Sequence, residues 1–414
     1  MNTKFISILL LMSVLNFHSF SQTLTSNPYS YFGLGIIQNK GFSENAALGS
    51  SGIAMPSINN LNSTNPASYV GIDSSSFIFS FGLYGKNSAF ETRDNKQSTF
   101  DGGLNYIALG FKISRYWAAS FGLTPFSSRG YYISSKYPTE GDLSEYQLIS
   151  TGSGNLSNFY FSNSFKIAKN LSLGANISYL FGSLQNVEQM VYSDPNFKDV
   201  EINTTNYFRN FFFDFGLQYK FKVGKNEFYT GLTYNPRQNL NTSYKKIAIN
   251  GTDTLANIDQ GNGNFTIPAS VGIGFGANLL DKQLKFMADY KATQWSKSDY
   301  HYTVAMLKDS WQINTGVEFV RENKHSNNYW DYVNFRVGYR YENSYLSINT
   351  HNLNENAVSL GFGFPLKYNR SKINLSYEYA VMGTTDANLI QERYSRIIIG
   401  FTLYDKWFQR LRYD

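Results

Sequence analysis

Leu171, Leu173, Ala175, Ile177, Tyr179 and Phe181 alternate without a break against Ser172, Gly174, Asn176 and Ser178. Side chains on an extended strand point to opposite faces in turn, so a period of two means one apolar face and one hydrated face. The period returns throughout the chain. Phe213, Phe215, Leu217, Tyr219, Phe221 and Val223 alternate with Asp214, Gly216, Gln218, Lys220 and Lys222. Val333, Phe335, Val337, Tyr339 and Tyr341 alternate with Asn334, Arg336, Gly338 and Arg340, and Ile373, Leu375, Tyr377 and Tyr379 with Asn374, Ser376 and Glu378. Beyond the first residues no window carries a helical period, so the chain is all-β.

A soluble sandwich also alternates, and composition separates the two cases. Aromatic residues make up 17% of the 414 residues, with 33 Gly and only 9 Pro. Strands that repeat without a helical layer, with amides and charges on one face and aromatics at their ends, fit a transmembrane antiparallel β-barrel. The runs predict strands at 75–85, 103–113, 116–134, 143–167, 170–190, 204–223 and 226–248, then at 263–278, 283–296, 310–320, 330–342, 356–367, 371–382 and 391–404. That is about fourteen strands, an even number as a bacterial single-chain barrel requires. Short turns such as Val223 to Asn226 are expected in the periplasm, and longer polar stretches such as Asn250 to Asn264 and Arg321 to Tyr332 outside the cell.

Residues 1–21 carry one cation, Lys4, an apolar run from Phe5 to Leu15, and Ser19 and Ser21 before Gln22. This is the layout of a secretory signal, and the run falls short of the roughly 20 apolar residues of a membrane helix. Without Lys4 the formal net charge of +6 becomes +5, and the basic residues are scattered, so nucleic acid is not an expected partner. With 0 Cys there is neither a disulfide frame nor a thiolate site.

His18 belongs to the signal, and His301, His325 and His351 are far apart, so neither a metal, a cofactor nor a catalytic site is expected. The glycines of Val271 to Gly276 and Gly361 to Phe364 lack the Lys-Ser or Lys-Thr of a phosphate loop and read as small residues facing a lumen. Residues 405–414, basic and aromatic, read as a periplasmic tail behind a barrel at 75–404.

A barrel of this size has a lumen wider than its own side chains fill. Residues 22–74, rich in Gly, Asn and Ser, read as a luminal plug. Toward its end the plug contains Asn65, Pro66 and Ala67, where the proline forces Asn65 into an extended conformation, Asn65 offers its amide to neighbouring backbone, and Ala67 permits close approach. These three are the candidate gating residues. In Phe121 to Gly130, Pro125 cannot donate to a strand ladder and marks a candidate lateral gap. Ser150 to Ser157, "STGSGNLS", reads as a loop, with a second break as the alternative.

A plug with Asn-Pro-Ala shortly before the first of about fourteen strands resembles the outer-membrane long-chain fatty acid transporter family, the FadL and TodX group, in a Bacteroidota-type form. Ile267 to Ser296, "IPASVGIGFGANLLDKQLKFMADYKATQWS", is similar to that family's Pro-x-Ser strand followed by an Asp strand ending in Trp-Ser, with Thr293 where a second Trp is common. Arg336 to Ser347, "RVGYRYENSYLS", is similar to its Arg-x-Gly-Tyr hairpin. The resemblance implies passive uptake of hydrophobic compounds such as long-chain fatty acids, gated by the plug and released sideways through the wall. It also implies a monomer in the bacterial outer membrane, surrounded by lipid and lipopolysaccharide. The alternative is a barrel of the same fold that docks or shuttles a protein partner in a secretion system.

Overall fold

The structure, a computed structural model, describes residues 27–139, 144–298, 305–321, 328–348, 351–366 and 370–406. The expected signal, the start of the plug, His301, His325 and residues 407–414 lie outside the described residues.

A short strand, β1 (Ile36–Ile37), precedes the wall. The wall begins with β2 (Ser76–Glu91), β3 (Lys96–Ser114), β4 (Trp117–Pro138), β5 (Glu145–Ala168), β6 (Leu171–Tyr192) and β7 (Val200–Val223). It continues with β8 (Asn226–Asn235), β9 (Gln238–Asn250), β10 (Asp253–Ile267), β11 (Ser270–Leu279), β12 (Leu284–Thr293) and β13 (Ala305–Leu307). The last strands are β14 (Ser310–Phe319), β15 (Asn334–Ile348), β16 (His351–Pro365), β17 (Lys372–Met382) and β18 (Gln391–Lys406). Each neighbouring pair is antiparallel, and β18 returns to β2 in register from Gln391↔Glu91 to Lys406↔Ser76. β8 with β9, β10 with β11 and β13 with β14 each form one interrupted strand, so the closed barrel has fourteen strands, as the alternation predicts.

Burial is inverted relative to a soluble protein. Leu173, Ile177, Phe213, Phe215, Leu375, Tyr377 and Ile399 are exposed on the outer face, while Ser178, Asp214, Asn374, Ser376, Glu378 and Arg340 are buried inside. The alternation thus puts the apolar residues toward lipid.

The structure revises four expectations. Asn250 to Asn264 is not a loop: Gly251 and Thr252 make a tight turn and β10 pairs with β9 along its length. Polar residues on both of its faces suit a strand that has left the membrane. Ser150 to Ser157 also lies within β5, paired to β4 and β6. There Gly154 has φ +123°, and a Cβ would stand 2.1 Å from the Ser183 carbonyl oxygen, which is why the stretch reads as a break but remains a strand. The third revision concerns Arg321 to Tyr332. Its described ends, Arg321 after β14 and Asn328 to Tyr332 before β15, lie at the end shared with the short turns 115–116, 169–170 and 224–225, the periplasmic end, because strand direction rather than loop length sets the side. Finally, the strand expected at 283–296 ends at Thr293, and Trp295–Lys297 forms a 3₁₀ turn with Trp295 stacked on Tyr345, ring centroids 4.3 Å apart.

Two proline breaks differ in kind. At Pro236 the ladder to β7 lapses, but the Gln238 side chain replaces it, accepting from the Phe213 N–H at 2.8 Å and donating to its carbonyl at 3.2 Å. Between β3 and β4 no such patch is seen among the described residues. Their ladder runs from Ser114↔Trp117 to Ile107↔Leu123 and stops. Above it β3 continues against β2, and β4 against β5, with a bulge between Pro125 and Ser127.

Candidate functional site: luminal segment, cavity and seam

Residues 27–75 run inside the barrel, and the wall holds them at stations along their length. At the start, Asn27 caps the 3₁₀ turn Pro28–Tyr31 and donates its Nδ2 to Glu392 Oε2 at 2.7 Å. Tyr29 donates its hydroxyl to the Ile390 carbonyl at 2.7 Å. Burial pushes that phenol up to about 12. Next, β1 pairs with the edge of β4, Ile36 opposite Ser128 and Ile37 opposite Ser127, at the Pro125 bulge. Lys40 then reaches Asp214 at 2.7 Å.

The helical turn Ser43–Ala46 follows, with Ser43 Oγ 2.8 Å from the Tyr106 hydroxyl and Phe42 stacked on that ring. Asp289, on β12, accepts from two successive backbone donors, Gly52 N at 2.6 Å and Ile53 N at 2.9 Å, so one wall carboxylate fixes the direction of the chain.

Asn65, Pro66 and Ala67 form the last station. Proline at the first position of the 3₁₀ turn Pro66–Gly71 costs no hydrogen bond, and Asn65 Oδ1 caps it by accepting from Ala67 N at 2.9 Å. The Asn65 Nδ2 donates to the Ile53 carbonyl at 2.8 Å and to the Leu217 carbonyl in β7 at 3.1 Å. Two wall glycines make room for this. A Cβ on Gly216 would lie 2.0 Å from Asn65 Oδ1, and one on Gly174 would lie 2.3 Å from Ala67 N. Ser164 of β5 completes the seat, donating to the Ala67 carbonyl at 2.9 Å and accepting from Val70 N at 3.1 Å.

Between the segment and the extracellular half of the wall is a cavity of about 270 Å³, lined in part by both Pro66 and Pro125. Its volume exceeds the roughly 150 Å³ that accommodates benzene in an engineered apolar cavity. One side is apolar, with Leu34, Ile37, Phe126, Ile267, Trp295 and Leu346. The other is ionic but internally matched: Arg340, 1% exposed, donates to Glu378 at 2.8 Å, pairs with Glu355 and reaches the Tyr394 hydroxyl at 3.1 Å. Lys86 reaches Glu392 at 2.7 Å. Matched charges of this kind keep that part of the lumen filled and ordered.

Of the residues singled out in the sequence, Asn65, Pro66, Ala67 and Pro125, the structure brings Pro66 and Pro125 to one cavity. It does not bring Asn65 or Ala67 to that lining; they face β5, β6 and β7 instead. Pairwise roles are what sequence reading misses: Asp214 and Arg340 appear there only as polar positions in alternating strands, Asp289 only inside the stretch Ile267 to Ser296, and Glu392 not at all.

The family model described as BamG matches residues 1–414. Among solved structures, the Ralstonia pickettii toluene transporter TbuX superposes with a TM-score of 0.58 at 16% identity, covering 88% of this chain and 98% of that one. The CymD monoaromatic hydrocarbon channel gives 0.57 at 15% identity, with 90% and 99% covered, and a Pseudomonas aeruginosa FadL homologue 0.57 at 12%, with 90% and 100% covered. No curated protein matches the chain. The inverted burial, the fourteen strands and these superpositions make it a bacterial outer-membrane barrel of the FadL and TodX fold, and the chain belongs to the BamG family.

Proposed function

We propose that the barrel passes hydrophobic compounds, monoaromatic or fatty acyl in size, from the outside to a lateral exit in its wall, with the luminal segment as the gate. The observation that carries this reading is the seam: the β3–β4 ladder stops at Ile107↔Leu123, beside a cavity with an apolar side, and β1 of the luminal segment occupies part of the β4 edge above it. An apolar solute gains nothing by crossing the ionic part of the lumen, whereas an unpaired seam lets it leave toward lipid. Similar barrels whose names include toluene transporter and monoaromatic hydrocarbon channel point to the same class of cargo. On this reading Asn65, Pro66 and Ala67 anchor the hinge of the gate, Pro125 borders the exit, and a single barrel in lipid and lipopolysaccharide suffices.

The test is a staple. The chain has 0 Cys, so Ile36→Cys with Ser128→Cys introduces one removable disulfide across a paired position. Uptake of labelled toluene or oleate should fall to the level of an empty membrane when the staple is oxidised and return on reduction. Full uptake with the staple closed sinks the gate.

A second reading, a docking barrel for a protein partner, is favoured by a different observation. The luminal segment is bonded to the wall at every station, and the periplasmic end presents the exposed aromatics Tyr329 and Trp330. In that case the staple leaves function intact, and Trp330→Ala loses a co-purifying partner.

A further inference from the structure

We infer that a second cavity, at the periplasmic mouth of the lumen, binds an anionic amphiphile: a molecule with a carboxylate or phosphate head and a short apolar tail. This cavity has a volume of about 430 Å³ and lies below the luminal segment, remote from the seam. Five cationic side chains line it, Lys282, Lys285, Arg336, Arg370 and Lys372, against three carboxylates, Glu44, Asp73 and Glu318.

The three carboxylates are already engaged. Glu318 accepts from Lys285 at 2.8 Å and from Arg336 Nε at 2.6 Å, Glu44 lies 3.8 Å from Arg336, and Asp73 pairs with Arg370. The remaining two cations are poorly matched. Lys372 donates to a neutral partner, Asn334 Oδ1, at 2.8 Å. Lys282 has only a share of Glu227 at 3.6 Å, a carboxylate that Lys220 and Lys222 hold more closely at 3.0 and 3.2 Å. Cations gathered with too few anions draw an anionic ligand, and a carboxylate or phosphate oxygen would give Lys372 the charged partner it lacks.

The same cavity also has apolar lining, Ala54, Met55, Pro56, Ile58 and Met287. A purely inorganic anion would leave that surface wet, whereas an acyl or aryl tail would cover it. Asn60, 8% exposed, lines the same cavity with its Nδ2 unpartnered, a further donor without an acceptor. The site is independent of uptake through the seam and stands whether the barrel transports or docks.

The experiment is equilibrium dialysis of labelled octanoate and octyl phosphate against the full-length barrel in lipid nanodiscs, with empty nanodiscs as the blank. Both probes should bind saturably, octanol and octyltrimethylammonium should compete at least about tenfold more weakly, and Lys282→Gln with Lys372→Gln should weaken binding about tenfold, the scale of one charge-assisted contact. Lys282→Gln alone, in an exposed turn, should weaken binding about threefold and guards against a folding defect in the double variant. The Ile36→Cys, Ser128→Cys staple should leave binding unchanged, which separates this site from the gate. Absence of saturable octanoate binding, equal competition by octanol, or unchanged binding by the folded double variant would overturn the proposal. Inorganic phosphate competing as well as octyl phosphate would overturn its apolar half.

Discussion

Gly216 and Gly174 are on the wall strands, yet their role is read from the segment they face. Any side chain at either position occupies the space of the Asn65 to Ala67 turn, so Gly216→Leu should evict that turn while leaving the lipid-facing residues of β7 untouched. Trypsin or thermolysin should then cut the segment in an otherwise heat-resistant barrel; a protected segment in that variant would mean the turn is not seated there. Asn65→Ala is milder. It removes the cap on Ala67 N and the bonds to the Ile53 and Leu217 carbonyls, a loss of about 1–2 kcal/mol in seating. Hydrogen exchange of residues 53–71 should speed up accordingly. Tyr29 gives the seat a pH dependence. Its phenol stays neutral up to about 12 when buried and ionises near 10 when released, so the released state holds fewer protons between those values. Seating is therefore intact below about pH 10 and weakens as pH rises toward 12. Tyr29→Phe should abolish that alkaline release of the segment, although it also forfeits the bond to Ile390. Release at the same pH in the variant would assign the effect to another group.

At the level of the strand, alternation is a faithful guide only where one face meets lipid. Leu171 to Phe181 and Ile373 to Tyr379 are legible because a lipid face must be apolar and a luminal face is free to be polar. Once a strand rises past the membrane that asymmetry ends, which is why Asn250 to Asn264 and Ser150 to Ser157 look like loops in the sequence and pair as strands in the structure. Pro125 is legible in the sequence as an interruption but not as an outcome, whereas Pro236 falls inside the strand expected at 226–248. Pro236 and Pro125 both remove a ladder donor, and only the pairing partners reveal that Gln238 patches the first while the second borders a ladder already ended at Leu123. This contrast predicts separate phenotypes. Gln238→Ala should loosen the β7 edge without affecting the seam, seen as faster exchange at Phe213 alone. Faster exchange along β3 as well would mean the two breaks are coupled through the wall.

The whole molecule turns an apolar face outward, and its interior combines polar side chains with apolar clusters such as Leu34, Leu156, Leu180, Leu184 and Phe208. A soluble chain gains stability by hiding its apolar side chains, whereas here Ile399, Leu83 and Leu375 lie exposed on adjoining strands while Ser80, Asn374, Ser376, Glu378 and Thr402 of the same strands are buried. The polar interior has to be satisfied by partners, and the luminal segment supplies many of them. The membrane supplies the solvent for the other face. If that partition is correct, the same substitution must have opposite costs on the two faces. Ile399→Arg, near the middle of β18, should destabilise the barrel by about 2–4 kcal/mol, the cost of a cation at the bilayer midplane. Asn105→Arg, beside the luminal cavity, should cost less than about 1 kcal/mol, since the guanidinium stays hydrated or meets a carboxylate. Equilibrium refolding into lipid vesicles measures both. Should Ile399→Arg refold as stably as the parent, the outer face would not be lipid-facing and the membrane assignment would fall with it; a large penalty for Asn105→Arg with none for Ile399→Arg would instead require an apolar interior and a barrel that stands in water.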